Sequence, residues 1–72
     1  MKILTQSKEQ LINVPSELWI TNNGTTKYMI VGTSYITPYL GEYSTYDKAA
    51  SVLMEISESI KHDVKVYDMP SE

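Results

Sequence analysis

The sequence predicts an α+β domain: a mainly antiparallel β-sheet of four to six short strands with one amphipathic helix packed on one face, in the order β-β-β-β-(β)-α-β. Three observations carry this. Short β-branched and aromatic runs, broken by Gly, Pro and Asn, fill residues 1–43. Ala49, Val52, Leu53, Ile56 and Ile60 then recur at spacings of three and four, an apolar helix stripe. The 72 residues leave room for one core only, so residues 1–72 are read as a single domain.

Met1 to Gln6 reads as a strand, Ser7-Lys8-Glu9-Gln10 as a polar break, and Leu11 to Val14 as a second strand, together a small hairpin. Pro15-Ser16-Glu17 ends it, because proline cannot donate to a ladder. Leu18-Trp19-Ile20-Thr21-Asn22 leads into Asn23-Gly24, a pair suited to a type I′ turn with positive φ at both central residues. The return strand, Lys27 to Ile36, places Tyr28, Ile30, Gly32, Ser34 and Ile36 on one face and Met29, Val31, Thr33 and Tyr35 on the other. Its first half is apolar on both faces. That predicts a central strand covered on one side by the helix and on the other by something else, such as a second subunit.

Thr37-Pro38 marks a turn, and Tyr39 to Tyr43 the next strand, where Gly41 predicts a bulge or a close approach by another backbone. Ser44, with Asp47 three residues on, predicts a capping box, with aspartate in place of the longer glutamate. The helix that follows is expected to run roughly 18 residues, ~27 Å. Lys48, Glu55, Glu58 and Lys61 lie off its apolar stripe, and Lys61 and His62 suit its negative end. Val64, Val66 and Tyr67 form a last short strand, closed by Met69-Pro70.

Composition excludes several kinds of function. Without cysteine there are no disulfides, thiolate metal sites or cysteine nucleophiles. A single histidine leaves zinc to carboxylates, which structural zinc seldom uses. All six basic residues are lysine against nine acidic ones, net −3. Arginine supplies the bidentate contacts that read guanine and grip phosphate, so nucleic-acid binding is disfavoured. The mixed charges equally fail to make a DNA mimic. No run approaches the ~20 apolar residues of a membrane span, and the start is too short in apolar residues for a signal peptide. The expectation is a soluble cytoplasmic protein. A core this small supplies about 3–5 kcal/mol, and with no disulfide or metal to add, a homo-oligomer is expected.

For chemistry, His62 is the candidate acid-base group near neutral pH, and it lacks a positioned nucleophile or second base. It reads as a helix-end surface histidine. No catalytic residue, metal ligand or cofactor is assigned. Thr25-Thr26, Thr33-Ser34 and Ser44-Thr45 lack the Gly-rich, Lys-bearing form of a phosphate loop and read as turn closers. Tyr35, Tyr39, Tyr43 and Tyr46 cluster around the strand-to-helix corner in a chain that has no phenylalanine. Tyrosine suits partly wet surfaces, so these four and Trp19 are the candidate ligand- or partner-binding residues. Three readings stand side by side: half-buried strand residues, a protein interface, or a surface that stacks a nucleotide base.

The opening MKILTQ, the segment LGEYSTYDKAASVLMEI and the closing VYDMPSE resemble a group of small, largely uncharacterised proteins of Gram-positive bacteria and their phages. Those begin with a Met-Lys-Ile-Ile-Ser-Gln-like strand, carry Leu-Gly-Glu-Tyr-Ser-Thr before an amphipathic helix, and end in Tyr-x-Met-Pro-Glu. The matching positions are Met1 to Gln6, Leu40 to Thr45, Lys48-Ala49, Val52 to Ile56 and Tyr67 to Pro70, with the middle hairpin unmatched and Ser71 intervening before the last acidic residue. The resemblance implies a fold and a phage or prophage origin, and it transfers no catalytic residue. From that origin comes the functional expectation: a non-enzymatic accessory protein in the cytoplasm of the bacterial host cell, binding stoichiometrically to a host protein and antagonising host defence. One alternative is an oligomeric sponge for a cyclic nucleotide signal. The other, disfavoured by composition, is a DNA-binding regulator.

Overall fold

Lys2-Ile3-Leu4 and Leu11-Ile12-Asn13 each turn their middle residue into the core, as short strands with one covered face must. They are β1 (Lys2–Leu4) and β2 (Leu11–Asn13), paired antiparallel with Ile3 opposite Ile12. The computed structural model describes residues 1–22, 24–33 and 39–72. Its further elements are β3 (Leu18–Thr21), β4 (Tyr28–Gly32), β5 (Tyr39–Tyr43), α1 (Tyr46–Lys61) and β6 (Val66–Asp68). The class is α+β and the order follows the sequence pattern.

The strands divide between two three-stranded sheets, β2-β1-β6 and β3-β4-β5. β6 joins β1 in parallel, Ile3 opposite Tyr67, while the other pairings are antiparallel. Val64 lies outside β6. Its amide instead closes the helix, donating to Ser59 O at 3.0 Å, while Asp63, at φ 59, donates to Ile60 O at 3.2 Å. These two bonds form a Schellman motif with aspartate in the left-handed position where glycine is usual.

Helix α1 packs on all three strands of β3-β4-β5. Ala49, Val52 and Ile56 are fully buried and Leu53 packs beside them. Ile60, expected on the same stripe, is 51% exposed, so the buried face ends one turn before the helix does. The core joins these residues to Ile3 and Ile12 from the first sheet, Ile30, Leu40 and Tyr43 from the second, and Met69 from the tail. β4 is the central strand expected, burying Ile30 and Val31 on opposite faces.

Three local expectations change. The N-cap is Thr45, not Ser44: Thr45 is extended (φ −129, ψ 153) and its Oγ1 accepts from Lys48 N at 3.1 Å. Ser44 N–H donates to the Glu72 carboxylate, which holds Ser44 to the tail. Asp47 sits in the first turn, where it opposes the helix dipole without closing a box. The β3–β4 connection is also longer than a two-residue hairpin, since Thr21 faces Met29. Asn22 organises it: its Oδ1 accepts from Gly24 N and its carbonyl from Thr25 N and Oγ1, with Gly24 at φ 77. Asn23 and the stretch 34–38 fall outside the described residues, and with them the last three residues of the expected strand to Ile36 and the turn at Thr37-Pro38; β4 ends at Gly32, with Thr33 in a bend. Finally, α1 has 16 residues rather than 18.

Candidate functional site

The tyrosine corner separates into residues with different work. Tyr43 ends β5 with its side chain pointing inward, is fully buried, and donates its hydroxyl to Pro70 O at 2.8 Å. Burial, with Glu72 and Glu55 nearby, pushes its phenol up to about 12 from 10.0. It is a core residue with a satisfied polar tip, removed from any ligand. Tyr46, in the first turn of α1, is exposed but spends one ring edge on Tyr28, with centroids 5.9 Å apart and planes at 83°. Tyr39 opens β5 and is 55% exposed. Trp19 stands on β3, 45% exposed, cross-strand from Val31. Tyr35 lies outside the described residues. Among the described candidates, Tyr39, Tyr46 and Trp19 are about half-exposed on three different elements and Tyr43 is buried.

Gly41 explains how Tyr43 reaches its place. The β4–β5 register slips between Ile30 and Val31, so Ile30 faces Gly41 and Val31 faces Tyr39, leaving Leu40 as the bulged residue. A Cβ at Gly41 would lie 2.9 Å from Met69 Cε and 3.0 Å from the Tyr43 hydroxyl. The bulge and the close approach are both present, and the approaching groups are side chains rather than backbone.

Alongside β5 runs a seam that the residue pattern does not announce. Gln6, just past β1, donates its backbone N–H to Leu40 O at 2.9 Å. Its side-chain amide then imitates a strand residue: Oε1 accepts from Glu42 N at 2.8 Å, and Nε2 donates to Glu42 O at 3.0 Å and Pro70 O at 3.2 Å. Lys8 bonds the Asp68 carboxylate and Met69 O, tying the β1–β2 turn to the tail. MKILTQ, LGEYST and VYDMP, the three segments quoted for the resemblance, thus meet at one place. No residue-type signal marks Gln6 beforehand, because an amide that copies a peptide group looks like any polar residue until its partner strand is known.

Beside this seam lies an open cleft of about 310 Å³ between the β1–β2 turn and β5. Thr5, Gln6, Ser7 and Gln10 line it from the first segment, Met29 from β4, and Tyr39, Leu40, Gly41 and Glu42 from β5. Thr5 Oγ1 and Ser7 Oγ lie 3.2 Å apart and hydrogen-bond each other, and the Glu42 carboxylate is 3.8 Å from Lys27 Nζ. The cleft offers hydroxyls, side-chain amides and the Glu42 carboxylate beside one aromatic ring.

His62 is exposed at the helix end, its Nε2 3.6 Å from Glu58 Oε2 one turn back. Tyr67 donates to Glu55 Oε1 at 2.6 Å, and burial together with that bond raises its phenol above the ordinary value. Among the described residues no group of three His, Cys, Asp or Glu could hold a metal, and no helix is long and apolar enough to cross a membrane. No protein-family model, curated protein or solved structure matches this chain.

Proposed function

We propose that this chain is a non-enzymatic, homo-oligomeric accessory protein of phage or prophage type that works by stoichiometric binding, antagonising a host defence system in the cytoplasm of the bacterial cell. One observation carries the binding reading: Trp19, Tyr39 and Tyr46 are all about half-exposed, which spends the residue types richest in interface energy on the surface of a chain with little core to spare. The resemblance supports the origin, and the defence target follows from origin alone.

A second reading, sequestration of a nucleotide signal, is favoured by the cleft. Tyr39, half-exposed, lines it together with Thr5 and Ser7, an aromatic face and two hydroxyls suited to a base and its polar substituents. Two measurements separate the readings. The native mass of the purified protein is taken with and without extract of a susceptible host, and any captured protein is identified and titrated back as a pure component. Thermal unfolding is followed against a panel of cyclic nucleotides, where a ligand at 100 times its dissociation constant adds ~2.7 kcal/mol. Saturation at a fixed ratio by one host protein supports the first reading, and a shift with one nucleotide supports the second. If neither occurs, stoichiometric binding of these classes is overturned.

A further inference from the structure

The sheets have outer edges at β2, β6, β5 and β3, and they are not finished alike. β5 is covered by Gln6 and the tail, β6 holds the Lys8–Asp68 ion pair, and β2, uncharged like β3, is cut short at three residues. β3 is Leu-Trp-Ile-Thr, with no charge, proline or bulge. Uncharged open edges are the ones that pair with another strand.

The hydrogen-bond parity shows which groups of β3 are open. Thr33 N donates to Glu17 O at 3.2 Å, which makes 17 opposite 33 a bonded pair and, by alternation, 19 opposite 31 and 21 opposite 29. The N–H and C=O of Leu18 and Ile20 therefore point away from β4.

We infer that β3 is the contact of a homodimer, two copies pairing antiparallel edge to edge about a twofold axis at Trp19. A second copy is the occupant because the edge complements itself. In this register Leu18 exchanges both bonds with Ile20 of the other copy, and the two Trp19 side chains meet as a non-hydrogen-bonded pair, the closer of the two cross-strand types. Shifting the axis by one residue would set Leu18 or Ile20 opposite Ser16 or Asn22. Ser16 lies in a bend, and the Asn22 carbonyl already accepts from Thr25. Charge agrees with the choice: Glu17, the one charged residue from 16 to 22, falls opposite Thr21 and not opposite its own copy. The result is a continuous six-stranded sheet built from β3-β4-β5 and its twin.

The inference rests on the homo-oligomer reading and names its surface. The test uses two gifts of composition, a single tryptophan and no cysteine. Sedimentation mass and tryptophan emission are measured across a concentration series. The expected result is a rise from the 8.2 kDa chain to twice that mass, with a blue shift of Trp19 over the same range. Trp19→Lys, checked for native far-UV circular dichroism, stays at the mass of one chain. Trp19→Cys forms a disulfide dimer under mild oxidant, while Leu11→Cys, equally exposed on the other sheet, does not. A single-chain mass with invariant emission at every concentration overturns both the edge and the oligomer reading, and leaves β3 to a strand of another protein. A dimer that survives Trp19→Lys, or equal cross-linking at 11 and 19, overturns the edge alone.

Discussion

Within the sheet β3-β4-β5, the two outer strands live under opposite conditions. β5 has its edge closed by the Gln6 amide, its terminal Tyr43 buried and bonded to Pro70, and its bulge filled by Met69 and the Tyr43 ring. β3 presents the outward groups of Leu18 and Ile20 and a half-exposed tryptophan. This short chain concentrates its internal hydrogen bonds on one side. Tail, first turn and helix start converge at β5, and the other side is left available.

The strongest way to break that contrast is to empty the ordered side. Tyr43→Ala removes a fully buried ring and should cost about 3–5 kcal/mol, as much as a core of this size supplies, so the chain should be unfolded by circular dichroism. Trp19→Ala, measured on the monomer by urea unfolding, should lose far less. Equal losses would erase the distinction between the two edges.

Next is Gln6→Ala, which keeps the backbone bond to Leu40 but deletes three side-chain bonds at the seam. We expect roughly 1–3 kcal/mol of lost stability in urea, since the Glu42 amide is left without its partner. Amide exchange should quicken at Glu42 and stay unchanged in β3.

The pH dependence sharpens the same point. Below pH 10 Tyr43 is protonated in both states, so its contribution is whole. Because its folded pKa is raised to about 12, the unfolded chain loses the proton first as pH climbs from 10 to 12, and stability falls. The fall is roughly 2–3 kcal/mol by linkage. Tyr43→Phe should lose about 1 kcal/mol at neutral pH with the Pro70 bond, yet show a shallower alkaline decline. An unchanged decline would assign it to Tyr67, whose phenol is also raised.

The smallest effect concerns the corner itself. Thr45→Ala should cost ~1 kcal/mol as the loss of an N-cap, while Ser44→Ala should stay within about 0.5 kcal/mol. The reverse order of thermal midpoints would return the cap to Ser44.

How much was legible follows from where the signal lies. Strand positions, the central character of β4, the bulge at Gly41 and the helix stripe are periodicity and glycine effects, written locally in residues such as Ile30, Val31 and Val52. The cap was misplaced by one residue because Ser44 and Thr45 are chemically alike, and the backbone conformation at Thr45, which turns its Oγ1 onto Lys48 N, is not written in either residue type. The tyrosine cluster was legible as a composition, but not which ring is buried: Tyr39 and Tyr43 share strand parity, and the bulge at Leu40 lies between the exposed one and the buried one.

Class, order of elements and the exclusion of thiol chemistry could be read from the residues alone, because backbone propensity, apolar period and residue inventory are local properties. The division of the strands into two sheets, the closing of β5 by Gln6 and Pro70, and the place of β3 at a sheet edge came from the folded chain. Those depend on which polar groups meet across tens of residues, and a hydrogen bond has no meaning until both of its partners have a position.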